Sequence, residues 1–401
     1  MSTHRVVITG MGVTAANALS SGELAQALVE RRSGIRRTDR FGGEGRARTA
    51  GEVDLPGFSD EGVDRVSQLA LHAAEQALRD SGLASRTGWR EEAGVMLGTS
   101  RGPALSLESF LRSGSEQARR TLFGELAFSS IARNVAARFD LGGIQSTVTM
   151  ACVSSSLAIG RALDEVRQGR TPVMLAGGAD ALTALSFSGF SVLRAMSPTV
   201  CRPFDRRRDG MVLGEGAGIL VLEELHHALQ RGARIHAELC GWGTAGDAHH
   251  PTSPHPEGRG LRQAMTLALR HSGMTVDQVD FVNLHGTGTL ANDPAECQAL
   301  REVFGARTAS LPVNSLKPYF GHTLGAAGAL ELIGSLLGMA RDFIPPTLHC
   351  EELDPRCDVD VVRGEGRSQR IDVLMSTKSA FGGANVAIVA RRLPEAGREA
   401  R

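Results

Sequence analysis

Val148-Thr149-Met150-Ala151-Cys152-Val153-Ser154-Ser155-Ser156-Leu157-Ala158-Ile159-Gly160 is the stretch on which the reading of this chain turns. A β-prone run, Ile144 to Met150, meets small residues and then a helical pattern reaching about Gln168. The pattern predicts Cys152 at a strand-to-helix junction, at or near the first turn of the helix. Helix N-termini carry unpaired N–H groups and roughly half a positive charge. Both favour thiolate, so the expectation is a nucleophile of lowered pKa. The competing expectation is an inert buried thiol, because free cysteine is among the most buried residue types.

Working outward, the 401 residues suffice for one large α/β unit or several average domains. Formal net charge is zero, which gives no expectation of nucleic acid or an anionic membrane as partner. Of 44 basic residues, only Lys317 and Lys378 are lysine, so each asks for an explanation. The six cysteines are scattered, with no CxxC, and no signal peptide is evident; the expectation is a reduced, cytoplasmic protein. The longest apolar stretch, Leu324 to Ala340, contains Glu331 and several glycines and reads as a buried helix.

Helical patterns alternate with short apolar runs along the whole chain, which predicts an α/β fold. Arg5 to Thr9 reads as a strand, and Gly10-Met11-Gly12-Val13-Thr14-Ala15 reads as a tight turn after it. The second run also fits a loose dinucleotide fingerprint, but no acidic strand end follows about 20 residues on. Leu122 to Phe139 reads as mostly helix, and Pro394 to Arg401 as a polar tail. Val148–Gly160 and Val313–Leu336 share one grammar of strand, reactive residue and helix. Each is followed by a strand ending near Gly-Gly-Ala, at 177–179 and 382–384. This predicts an internal duplication, residues 1–232 and 233–401, with reactive loops from both halves facing one site.

Three further motifs sit at strand ends. Asn283-Leu284-His285-Gly286-Thr287-Gly288-Thr289 offers two threonines and an imidazole where glycines admit close approach. Lys317 precedes His322 by five residues, and Glu331 follows on an apolar helix, where a buried acid would need Lys317 or an N–H as partner. Ser379-Ala380-Phe381-Gly382-Gly383-Ala384-Asn385 is a glycine loop able to offer backbone N–H groups. A thiol, two imidazoles, a lysine and such a loop supply a nucleophile, donors or bases, and an oxyanion hole. His249, His250 and His255 lack the spacing of a metal site.

These motifs resemble those of the elongating β-ketoacyl-acyl carrier protein synthases of the thiolase superfamily. The resemblance runs from Val6 to Val389 and includes Pro203-Phe204-Asp205-(x)3-Asp209-Gly210. It implies a five-layered αβαβα fold with two duplicated halves, a homodimer or a heterodimer with a ketosynthase-like partner, and no metal or organic cofactor. It implies that Cys152 is the nucleophile of a Cys-His-His triad with His285 and His322, supported by Lys317 and Glu331. The oxyanion would be held by the N–H groups of Cys152 and Phe381. The implied reaction is decarboxylative condensation of a Cys152-bound acyl group with malonyl-acyl carrier protein, in fatty-acid or polyketide and polyene synthesis. Thr287, Thr289, Asp247, Thr252, Ser379, Gly382 and Gly383 would touch substrate, and Arg194 would dock the carrier protein.

A thiolase would need a second cysteine in the C-terminal glycine loop, which this chain lacks, and initiating synthases differ at His322. A chain-length partner subunit with little activity of its own remains the alternative, although such subunits typically lack the cysteine. One departure stands out. The family commonly reads Ser-Phe-Gly-Phe-Gly-Gly-Thr-Asn where this chain reads Lys378-Ser379-Ala380-Phe381-Gly382-Gly383-Ala384-Asn385. Serine replaces a gating phenylalanine, so a more permanently open acyl pocket is expected.

Overall fold

The computed structural model describes residues 4–41, 49–55 and 62–393, so the polar tail lies outside the described residues. Among them, the main sheet comprises β1 (Val6–Ala15), β2 (Gly94–Gly98), β3 (Gln145–Val148), β4 (Val173–Asp180), β5 (Gly216–Glu224), β6 (Ala237–Gly246), β7 (Phe281–Asn283), β8 (Val313–Asn314), β9 (Val373–Ser379) and β10 (Ala384–Arg391). Their order is β8-β7-β9-β10-β6-β1-β5-β4-β2-β3. The order is two copies of one pattern, since β3-β2-β4-β5-β1 repeats as β8-β7-β9-β10-β6. In each copy the first strand is antiparallel to the fifth, and the fifth to the fourth. The fourth is then parallel to the second, and the second to the third. The copies join where Val6–Ile8 of β1 runs antiparallel to Ala237–Leu239 of β6.

Helices complete five layers. α1 (Arg65–Asp80) covers β1 and β5 from outside, and α3 (Arg259–Ser272) covers β6 and β10, with α4 (Asn292–Phe304) beside it. Between the two halves of the sheet lie α2 (Ser154–Arg167) and α5 (Ala327–Met339), in contact with each other. The residue patterns explain the placement. α1 buries Val66, Leu69, Ala70, Ala73 and Ala77 on one stripe and is capped by the Asp64 carboxylate, which accepts from Val66 N–H at 2.9 Å. α5 is buried along its whole length, as an all-round apolar helix must be. One core cluster spans the central layer of both halves, from Ile159 and Leu163 to Leu330 and Ile333. The outer helices carry their own clusters, one per half.

Two expectations need correction. β1 does not turn at Gly10 but continues to Ala15. A Cβ on Gly12 would fall 1.8 Å from the Ala73 carbonyl oxygen, and one on Gly10 would fall 2.1 Å from that of Ala77. The glycines let α1 lie against the strand, so they neither turn the chain nor bind a dinucleotide. The segment Leu122–Phe139 is also broken, into helices Glu116–Phe123 and Ser130–Phe139. No described helix is long and apolar enough to cross a membrane.

Gly12→Ala forces a methyl against backbone that cannot yield, and is expected to cost about 1–3 kcal/mol or more in thermal unfolding. Gly114→Ala, where a Cβ meets nothing within 4 Å, is expected to leave the melting temperature in place.

Candidate active site

Cys152 stands on a strained elbow. Ala151 before it has φ +46°, a left-handed conformation that costs a non-glycine residue energy. Ser154 braces the turn: its Oγ donates to Ala151 O at 2.7 Å and accepts from Met150 N–H at 2.8 Å. The helix proper begins at Ser154, so Cys152 lies just ahead of the first turn. The expected lowering of its pKa does not follow. The thiol is 5% exposed, and burial pushes it up to about 11, against the pull of Lys317 and the Phe381 N–H. Desolvation of a charge outweighs a helix terminus here, and the resting group is a neutral thiol.

Two imidazoles face it. His322 is pinned by its backbone, which donates to Val212 O at 2.7 Å and accepts from Gly214 N–H at 2.9 Å. Its Nδ1 accepts the Leu324 N–H at 3.1 Å, which places the ring proton on Nε2. That Nε2 is buried with no protein partner. His285 lies 5.0 Å away, ring to ring, at 83°. Its Nδ1 faces the Lys317 ammonium at 3.1 Å and accepts from it, so its proton is also on Nε2. Burial, then Lys317, holds both imidazoles well below their usual pKa, so both are neutral. Cys152 Sγ and a nitrogen of each ring lie within 4.8 Å of one another.

Behind the imidazoles lies an ionic cluster. Lys317 Nζ donates to Glu331 Oε1 and to His285 O, each at 2.6 Å. Glu331 is fully buried, as expected of a paired acid. Its other oxygen stands 3.0 Å from Lys378 Nζ, off the axis of a proper hydrogen bond. Lys378 is equally buried and does not face outward to a carrier protein.

A cavity of about 280 Å³ opens onto Cys152, His285 and His322 and is also lined by Phe381, Thr287, Thr289, Asp247, Thr252, Ser379 and Arg194. Arg194 is exposed at its rim. The backbone N–H of Phe381 is directed at the Cys152 sulfur and partly offsets the burial of the thiol. Thr287 and Thr289 share a hydrogen bond of 2.9 Å between hydroxyls. Ser379 Oγ donates to Asn385 Oδ1 at 2.7 Å, and Asn385 Nδ2 donates to Asp247 Oδ1 at 3.0 Å. Gly382 and Gly383 do not line the cavity; their N–H groups are used on Pro251 O and Ala380 O. They shape the loop through positive φ, +85° and +79°.

The motif reading missed three buried acids. Glu296 accepts the N–H groups of His285 and Gly286 at 2.7 and 2.6 Å, and Asp293 those of Thr287 and Gly288 at 3.1 Å each. Together they fix the loop that carries His285. Their signal was present: acids in the first turns of the helix after a glycine loop. Asp180 accepts from the N–H groups of Ser100, Arg101 and Gly325, and so ties β4 to the segment after His322. Nothing local in the sequence marks it. As a metal set, the thiol and imidazoles are poorly prepared, because each Nε2 carries its proton and acts as a donor. The arrangement suits an oxygen that gains negative charge.

Fold and site are those of an acyl-transferring enzyme. Residues 3–228 match the family model "Beta-ketoacyl synthase, N-terminal domain", and residues 236–351 match "Beta-ketoacyl synthase, C-terminal domain". The chain belongs to the β-ketoacyl synthase family. It is 36% identical over 407 residues to a 3-oxoacyl-acyl-carrier-protein synthase 2 of Synechocystis sp., covering 97% of this chain and 98% of that one. Among solved structures it resembles the ishigamide ketosynthase/chain length factor, with TM-score 0.92 and 36% identity over 98% of this chain and all of the other. A type II polyketide ketosynthase bound to its acyl-carrier protein and a hexaketide gives TM-score 0.92 at 31% identity, over 98% of this chain and 100% of that one.

The buried thiol sets a pH expectation. Alkylation of Cys152 by iodoacetamide should rise about tenfold per pH unit from 7 to about 10, because the thiolate fraction does so below the pKa. A plateau below pH 8, read by peptide mapping, would contradict control by burial.

Proposed function

We propose that this chain condenses an acyl group held on Cys152 with malonyl-acyl carrier protein, releasing CO2 and a 3-ketoacyl-carrier protein. The observation that carries the reading is the convergence of a thiol and two Nε2–H donors beneath the Phe381 N–H. In the first half-reaction Cys152 sulfur attacks the carrier thioester. The oxyanion sits against the N–H groups of Cys152 and Phe381, each such donor worth ~3–4 kcal/mol. The carrier thiol leaves with the proton that Cys152 gives up, so this step needs no net proton transfer to solvent.

In the second half-reaction the malonyl thioester oxygen takes hydrogen bonds from His285 and His322 Nε2–H. The C–C bond to the carboxylate breaks, CO2 departs, and its electron pair forms the enolate. The enolate carbon attacks the acyl-Cys152 carbonyl, and the C–S bond breaks. Cys152 leaves as a thiolate and takes up one proton, as its raised pKa requires. The neutral imidazoles suit the role of donors, and Lys317 with Glu331 keeps His285 in that tautomer.

Thr287 and Thr289 bind the pantetheine arm, Asp247 and Thr252 shape the entrance, and Arg194 meets the acidic carrier protein. The duplicated halves divide at 232/233, and the protein works in the cytoplasm with six free thiols. A second ketosynthase-like subunit lies against the sheet edge at β3. There Ile144 and Met150, which flank a strand with one unpaired edge, are 42% and 47% exposed. Cys152 and the imidazole pair favour the catalytic subunit over an inactive partner.

The acyl pocket takes pre-extended, rigid or unusual chains rather than a gated saturated series. Ser379 carries no ring, and its hydroxyl is tied to Asn385. Tyr319 and Phe320, which could have filled the space, lie in the central core and do not line the cavity.

Two measurements test this reading. His285→Ala or His322→Ala should slow malonyl decarboxylation by about 100-fold or more, while Cys152→Ala should abolish condensation yet retain CO2 release. Equal loss in all three contradicts the division of labour, as does an acyl group mapped to Cys201 or Cys297. Ser379→Phe should selectively slow acylation of Cys152 by long or rigid acyl groups, and an unchanged chain-length profile removes the open-pocket reading.

A further inference from the structure

Lys378 is one of two lysines in the chain, and it is completely buried. Its side chain leaves β9 toward the neighbouring strand β7. Nζ donates to Asn283 Oδ1 at 2.8 Å, Thr377 O at 2.7 Å and Ser376 Oγ at 3.2 Å. Three acceptors match the three protons of an ammonium. Asn283 is itself fixed, donating to Asn314 Oδ1 at 3.0 Å. Glu331 Oε2, 3.0 Å from Nζ, supplies the countercharge.

Glu331 therefore serves two lysines. Lys317 takes one oxygen and Lys378 stands at the other. If Lys317 alone faced Glu331, the pair would be neutral and would present only a dipole to the imidazoles. With Lys378 the cluster holds two positive charges and one negative. A buried charge of this kind has little water to screen it, so its field reaches the neighbouring imidazoles.

We propose that Lys378 is a positioning residue for the decarboxylation step: it leaves one positive charge behind His285 and His322, which keeps both rings neutral donors and favours the enolate forming in front of them. This rests on the proposed condensation. The titratable groups facing Lys378 are Glu331 on α5, Lys317 just before it, Glu296 on α4, and the two imidazoles. Glu296 does not cancel the charge fully, since burial raises its carboxyl to about 7. Burial lowers Lys378 to about 8, against the pull of Glu331. Its charge is thus present at neutral pH and lost as pH rises through about 8.

The role predicts a split between half-reactions. Acylation of Cys152 uses the Phe381 side of the site, where Lys317 rather than Lys378 pulls on the thiol, and should depend little on Lys378. Decarboxylation places its charge at the imidazoles and should depend on it strongly. Lys378→Met keeps the length of the chain and removes the charge. With malonyl-carrier protein as probe, kcat for CO2 release should fall about tenfold or more with KM within about twofold, while Cys152 acylation stays within about threefold. The acid limb of CO2 release should move to higher pH, because removing a nearby cation makes an imidazole easier to protonate. The wild-type basic limb near pH 8 should vanish in the variant. Lys378→Arg, which retains the charge, should recover CO2 release toward wild type.

A purely structural lysine would slow both half-reactions alike, with pH limbs unmoved and no rescue by charge, and that result overturns the proposal. If Lys378→Met does not fold, Lys378→Gln carries the same readouts. Wild-type protein that takes an acyl group on Cys152 but releases no CO2 from malonyl-carrier protein would overturn the condensation reading itself, a different outcome from the loss of the split.

Discussion

The contact between the two central helices sets the site. A Cβ on Gly328 of α5 would fall 2.0 Å from Ser156 Oγ of α2, so the two backbones approach as closely as glycine permits. Ser155 Oγ accepts the Ala329 N–H at 3.0 Å, and Asp180 Oδ2 accepts the Gly325 N–H at 2.5 Å. These bonds cross from one duplicated half to the other. Cys152 precedes α2, and His322 precedes the turn that leads into α5. Locking the helix starts together is therefore what brings thiol and imidazole within reach. Small residues at this contact are a requirement of the chemistry, because a side chain there would separate the reacting groups.

Burial then decides protonation. At the junction of two core layers the desolvation of charge dominates, so the thiol rises and both imidazoles fall. An ion pair between cysteine and histidine, common where a thiol must be a ready nucleophile, is disfavoured here. The consequence is functional. A neutral imidazole can donate from Nε2 to a developing enolate, whereas an imidazolium beside a thiolate would be committed to its partner. The charge that the site does hold is kept one layer back, on Lys317, Glu331 and Lys378, where oxygen acceptors take the lysine protons.

Much of this was legible in the chain. The alternation of strands and helices gave the class, and the echo between Val148–Gly160 and Val313–Leu336 marked the duplication that the sheet order repeats. Cys152, His285, His322, Lys317 and Glu331 stood out because reactive types sat at strand ends in an arginine-rich, lysine-poor background. What failed depended on distant neighbours. Gly10 and Gly12 read as a turn because the helix that presses on them lies more than 60 residues away. The direction of the Cys152 shift failed because burial is a property of the fold, while the helix start is a property of the segment. Lys378 was placed beside the glycine loop, but strand alternation turns its side chain away from the loop toward Asn283.

The entrance follows the same logic of fixed rather than moving parts. Ser379, Asn385 and Asp247 form one hydrogen-bonded chain, which Asp247 extends to the Gly260 N–H at 3.0 Å. It ties the start of β10 to the end of β6 and to α3, so the glycine loop is held from both sides. Opposite it, Phe190 packs on Phe381 with ring centroids 5.6 Å apart. With the loop tied and these rings in contact, the cavity is bounded by standing walls. Met150, two residues before Cys152, is 47% exposed and stands outside those walls. The pinned loop is thus one fixed wall of the cavity that opens onto Cys152.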